Sequence, residues 1–164
     1  MRQPPMPSRT AKPFRLRRLS PGERALAAEV FGAGLDAGRV RILALPLWRR
    51  AFVAGPGLIV WPAASLPADF AASEVPLRAQ AVFVHELTHV WQAQNGVRLL
   101  LAKIKAGDSA ASYAYDLERG PGFLAMNIEQ QAMVVEHAFL ASRGGETPHP
   151  ASLYVEARHI WWRA

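Results

Sequence analysis

Phe83-Val84-His85-Glu86-Leu87-Thr88-His89-Val90-Trp91-Gln92 is the stretch on which the reading of this chain turns. It lies inside a run of good helix formers from Val75 to Asn95, in which Pro76 fits only a first turn and Asn95 with Gly96 supplies the stop. Four residues advance a helix by one turn and about 40°, so His85 and His89 project from one side and can share a single ion. Glu86, about 100° further round, stands beside that ion, placed to take a proton from water. With 5 histidines in 164 residues, chance yields the pentad H-E-x-x-H in about one chain per hundred. Phe83, Leu87, Val90 and Trp91 cover one broad side of the helix, while Arg78, Val82, His85, His89 and Gln92 cluster on the other. The helix is therefore expected to be packed on both sides and to carry a polar seam.

Cysteine is absent, so any metal must be held by His, Asp or Glu. Zinc (Zn2+) is the expected ion, and a catalytic zinc keeps three protein ligands, one of which must come from elsewhere in the chain. Glu129 opens a later helix in Asn127-Ile128-Glu129-Gln130-Gln131-Ala132, where the helix N-terminus favours an ionised carboxylate, and Ala132 permits close approach to the His helix. Glu136 and His137, two turns deeper, are the competing ligands, and the alternative for Glu129 is a solvated carboxylate favouring its helix dipole.

The surrounding elements give an α+β domain. Ser20, Pro21 and Glu23 spell N-cap, first helical residue and returning cap for a helix to about Phe31, ended by Gly32 and Gly34. A strand follows, with Val40, Ile42 and Ala44 on one face and Arg41, Leu43 and Leu45 on the other, then a hairpin of residues 51–54 and 58–61 around Gly55-Pro56-Gly57. A short helix is expected near 98–105, a second capped helix from Asn127 with Gln130 as returning cap to Gly144, and a final helix near 151–162. Of the adjacent Trp161 and Trp162, only one can face inward; Trp48, Trp61 and Trp91 are expected mainly as core aromatics rather than a stacking surface for nucleic acid or sugar.

A hydrophobic fraction of 51% suits one domain with a sizeable core, and no apolar run approaches the roughly 20 residues of a membrane span. The first segment lacks the apolar core of a signal peptide, so Sec export is not expected. The net charge of +6 resides in the first 18 residues, in Arg2, Arg9, Lys12, Arg15, Arg17 and Arg18, with no acid among them. Residues 1–18 are read as a basic flexible tail, through which nucleic acid or an anionic surface is a secondary partner, and 19–164 as a single domain.

The His helix, together with residues 127–132, resembles the Vgr-related proteins of alphaproteobacteria, and the similarity runs from Leu19 through Phe31-Gly32 and Val40-Arg41-Ile42 to about Arg143. It is similar as well to the zincin-like core domain found beside contractile injection systems. The resemblance implies a zincin-like fold, in which an N-terminal helix and a short antiparallel sheet pack on the His helix and a second, Glu-bearing helix. It also implies association with a secretion system, hence a cytoplasmic protein or one delivered by a route other than Sec. One departure stands out: where thermolysin-like enzymes place an Asp four residues after the Glu ligand to orient a ligating His, this chain has Met133. Gln92, Asn127 or Gln130 are the expected substitutes. Tyr113 and Tyr115 are the candidates for polarising a carbonyl, with packing as their plainer role.

The expected reaction is hydrolysis of a peptide or protein substrate, with zinc on His85, His89 and Glu129, Glu86 as the base, and the strand 58–61 aligning an extended peptide. The alternatives are a zinc-stabilised adaptor without turnover, attached to a secretion apparatus, and a DNA-associated protease using the tail.

Overall fold

Ser20 caps the first helix as its neighbours require: its hydroxyl accepts from the Glu23 N–H while the Glu23 carboxylate accepts from the Ser20 N–H. The helix, α1, is Pro21–Phe31. Glu23 is fully buried, yet its carboxylate also accepts two bonds from the Arg17 guanidinium, at 2.6 and 2.7 Å, and one from the Phe70 N–H at 3.1 Å. A buried charge survives because every lone pair is used. Here that requirement ties the first strand, α1 and the 67–72 segment together.

The computed structural model describes residues 14–162; residues 1–13, the greater part of the expected basic tail, lie outside them. Within that expected tail, Leu16–Arg18 form a strand, β1, so the folded unit begins before Leu19. The other strands are β2 (Arg41–Leu45), β3 (Phe52–Ala54) and β4 (Leu58–Pro62), in the order β1-β2-β4-β3. β1 runs antiparallel to β2 and β3 to β4, but β2 and β4 are parallel, with Ile42 opposite Ile59. The sheet is therefore mixed rather than antiparallel. β4 is buried at four of its five positions and must lie inside, which sends the less buried β3 to the edge. Gly55, at φ +74°, makes the tight return between them, and a Cβ on Gly57 would stand 2.8 Å from the Arg39 carbonyl oxygen. This order also corrects the expected substrate strand: β4 is paired on both sides, and among the described residues the edge strands are β1 and β3, of which β3 lines the cleft.

One face of the sheet, through Ile42, Ala44 and Ile59, packs with Phe31, Phe70, Phe83 and Leu87 in a continuous core. Phe70 lies between Trp61, edge-on at 4.5 Å, and Phe83, stacked at 4.4 Å. Phe83 and Leu87 belong to α2 (Leu77–Gln94), the predicted His helix, whose opposite side packs along α5 (Ile128–Ser142). Two shorter helices, α3 (Leu99–Ala106) and α4 (Ala110–Tyr113), lead from α2 toward α5, and α6 (Ala151–Trp161) closes the far side. Trp161 is buried and donates to the Val30 carbonyl, while Trp162 is about half exposed, as adjacency on a helix demands. Trp61 and Trp91 are core residues; Trp48 is not. No helix among the described residues is long and apolar enough to cross a membrane.

Candidate metal centre

The polar seam of α2 meets α5 at its first turn. Asn127 caps α5 by accepting from the Glu129 and Gln130 N–H groups, and Gln130 returns the bond to the Asn127 N–H. The capping box fixes where the helix begins and hence where Glu129 points. Glu129 Oε2 lies 3.5 Å from His85 Nε2 and 3.3 Å from His89 Nε2, and the three side chains are buried or nearly so. Among the described residues they form a group whose ligand atoms lie within 4.8 Å of one another and can hold a metal ion.

What lies behind each imidazole decides which nitrogen faces the centre. Gln131 donates from Nε2 to the Phe123 carbonyl, which leaves its Oε1 to accept from Gln92 Nε2 at 2.9 Å. Gln92 Nε2 also donates to the Ile128 carbonyl, so both amide hydrogens are used and Gln92 Oε1 must accept, from His89 Nδ1 at 2.8 Å. His85 Nδ1 lies 3.0 Å from Glu136 Oε2. With both Nδ1–H groups committed, both Nε2 atoms present lone pairs to a carboxylate oxygen. Three electron-rich atoms within 4.8 Å of one another repel unless a cation lies among them.

In the metal-free protein a proton is that cation. Burial opposes the charged form of His85, but Glu129 and Glu136 outweigh it and raise its pKa to about 9. Burial likewise works against ionisation of Glu129, yet His85 and His89 hold its carboxyl far below the usual range. Glu136 is lowered in the same way, by His85 and by Arg78, whose Nη1 is 2.7 Å from Glu136 Oε1. Lys103 Nζ approaches the other Glu129 oxygen at 3.3 Å. Glu86, next to His85 on α2, is pushed up by burial against the pull of both histidines. An elevated carboxyl pKa suits a group that must both take and return a proton.

The centre opens into a cleft of about 800 Å³ lined by His85, Glu86, His89 and Glu129 together with β3 and Tyr113. The Tyr113 hydroxyl donates to Asp108 at 2.9 Å, and burial together with that bond pushes its pKa up to about 12. Tyr115 does not line this cleft: its hydroxyl meets His137 and, at 2.7 Å, Tyr154 on the other side of α5. His137 shares that cluster and stands away from the metal group. Of the three residues expected behind the ligands, Gln92 is there. Asn127 and Gln130 act instead as helix caps, bonded to the Ser112 and Ala114 carbonyls.

Glu136, weighed from sequence as a rival ligand, sits behind His85. The signal for that role is its spacing from Glu129: seven residues return to within about 20° of the same helix face, so both carboxylates look toward α2. The approach of Lys103 and Arg78 has no comparable signature, because neither shares a helix with the carboxylate it meets.

No family model matches the chain. It is 37% identical over 134 residues to the type VI secretion system spike protein VgrG2b of Pseudomonas aeruginosa, an alignment that takes in 76% of this chain and 13% of the spike. The chain thus spans about an eighth of the length of that relative. The solved effector domain of Pseudomonas aeruginosa VgrG2b superposes with a TM-score of 0.64 at 34% identity, over 88% of this chain and 81% of that domain. With that much of the solved domain matched at that identity, the chain belongs to the VgrG2b effector-domain family.

Proposed function

We propose that the chain is a secretion-associated, zincin-like domain that hydrolyses peptide bonds with zinc held by His85, His89 and Glu129. The observation that carries this reading is the meeting of three acceptor atoms whose tautomers are fixed from behind. The spacings suit zinc: tetrahedral ligands at about 2.0–2.1 Å stand about 3.3–3.4 Å apart, and Glu129 Oε2 is 3.5 and 3.3 Å from the two nitrogens. Zinc supplies there the Lewis acidity that makes water nucleophilic near neutral pH and polarises an amide carbonyl.

The remaining roles fall to the chain itself. Glu86 takes a proton from the attacking water and delivers it to the leaving amine nitrogen as the C–N bond breaks and the new C–O bond forms. Tyr113, held protonated in the cleft wall, turns from Asp108 to donate to the developing oxyanion. The free edge of β3 pairs with an extended substrate and lays it across the centre. The likeness to a type VI secretion system spike protein supports the secretion association of this reading.

A second reading, an adaptor that keeps zinc without turnover, is favoured by the same likeness to a spike protein. Glu86→Gln separates the two, since it preserves size and touches no ligand. Zinc content should stay near one per chain while cleavage of a peptide library falls about a hundredfold or more. Zinc-loaded wild type that cleaves nothing in that library would favour the adaptor.

A further inference from the structure

Helix α3 does not behave as a core helix. Six of the eight residues in Leu99-Leu100-Leu101-Ala102-Lys103-Ile104-Lys105-Ala106 are apolar, and none is buried. Leu100 is 76% and Ile104 71% exposed. Across the mouth of the cleft the 46–51 loop repeats the pattern. Leu47 is wholly exposed on a backbone at φ +59°, a region leucine seldom adopts, and Trp48 is half exposed above Phe52. A leucine held out into water on an unfavourable backbone serves no core. The two segments form one rim: Trp48, Arg50 and Leu100 line the same cleft, and Arg50 Nη1 stands 3.8 Å from Asp108 Oδ2, just beyond α3.

The rim is also basic. Arg49, Arg50, Arg98 and Lys105 lie on it, with Lys103 turned inward to Glu129, against Asp108 as the one acid in 46–51 and 98–108. Protein interfaces tend to exclude Lys from their apolar centres. A lipid surface instead combines the two, since apolar tips enter the headgroup boundary while Lys and Arg reach back to phosphate and Trp settles at the interface.

We propose that this rim docks the protein on an anionic lipid bilayer, with Leu47, Trp48, Leu100 and Ile104 entering the headgroup region and Arg49, Arg50, Arg98 and Lys105 facing lipid phosphates. Docked in this way, the cleft opens toward the bilayer surface, and its reach is to chain segments lying against the membrane.

The test is co-sedimentation of the full chain with phosphatidylcholine vesicles, with and without about a third phosphatidylglycerol. Binding should be about tenfold or more stronger with the anionic lipid, and should fall about tenfold or more in the triple variant Leu47→Ser, Leu100→Ser, Ile104→Ser. These side chains are exposed, so the variant should melt with the wild type, and it retains every basic residue of the first 18. Wild-type binding by the triple variant would assign the attachment to those N-terminal residues and overturn the proposal. So would failure of the wild type to bind, or a variant that binds vesicles normally but loses peptide cleavage, which would make the rim a substrate subsite. As an independent reading, brominated lipid should quench fluorescence in the wild type and much less in Trp48→Phe; equal quenching in both would place Trp48 outside the bilayer and refute the orientation.

Discussion

Glu136→Gln tests the claim that a carboxylate behind His85 tunes the centre without belonging to it. The wild-type carboxylate meets two cationic or donor groups at once, bonded to His85 Nδ1 at 3.0 Å through Oε2 and ion-paired through Oε1 with Arg78, whose Nη1 stands 2.7 Å away. An amide has one oxygen to offer. Turned to His85, it sets its NH2 group against Arg78, which is 67% exposed and can swing into water at little cost. The surviving bond to His85 then drops from charge-assisted to neutral, a loss of about 1–1.5 kcal/mol, which corresponds to about a tenfold weaker hold on the metal. One effect opposes this: Glu136 also helps keep a proton on metal-free His85, whose pKa is raised to about 9, and that proton competes with the ion. A zinc titration against a competing chelator should therefore show the tenfold loss near pH 9 and a smaller one near pH 7. Affinity unchanged within about twofold at both pH values would refute a role for Glu136. A loss as large as that of Glu129→Gln, expected at about a hundredfold or more, would make it a ligand.

Gln92→Leu should cost more than its size implies, because it strands His89 Nδ1, the Ile128 carbonyl and Gln131 together: about 1–3 kcal/mol in stability by chemical denaturation and about tenfold or more in zinc affinity. In chelator, stability should follow pH with two opposite signs. The raised pKa of His85 gives a contribution complete below 6.5 that is lost as pH rises through about 9, while the lowered pKa values of Glu129 and Glu136 give contributions complete above 4.5 that are lost as pH falls; a melting temperature that rises steadily from pH 6.5 to 9 would contradict this. Glu23→Ala should cost about 3–5 kcal/mol by leaving Arg17 without its partner inside the fold, whereas Glu29→Ala, which breaks the exposed pair with Arg143, should cost under about 1 kcal/mol in the same denaturation experiment.

The elements legible in the sequence are those whose cause is local. Ser20 with Glu23 and Asn127 with Gln130 mark helix starts because the capping bonds close within three residues, and α1 and α5 begin where these pairs put them. The His pair is legible for the same reason, since four residues on one helix fix the geometry before any packing occurs. The pairing of strands is not local. Nothing in residues 51–62 says that β4, rather than β3, will lie against β2; that follows only when the apolar faces of β4 compete for the interior with the rest of the chain.

The centre divides along the same line, and the division explains why an H-E-x-x-H pentad can be found in the sequence while its setting cannot. Gln92 was within reach because it shares a helix with His89. Glu136 shares a helix with Glu129 but acts on α2, so its role depends on how α2 and α5 pack, and helix spacing could narrow it only to a ligand or a neighbour of one. Gln131 lies a further step away: it acts on Gln92, which acts on His89, and the chain of donors is anchored at the Phe123 carbonyl, in a short segment whose sequence marks no site at all. That anchor nonetheless determines which nitrogen of His89 faces Glu129, because each amide in the chain has only one orientation that leaves no buried donor unpaired. The acceptor geometry of this centre is thus set through carbonyls and amides contributed by three separate stretches of chain, and it is complete only when the domain is folded.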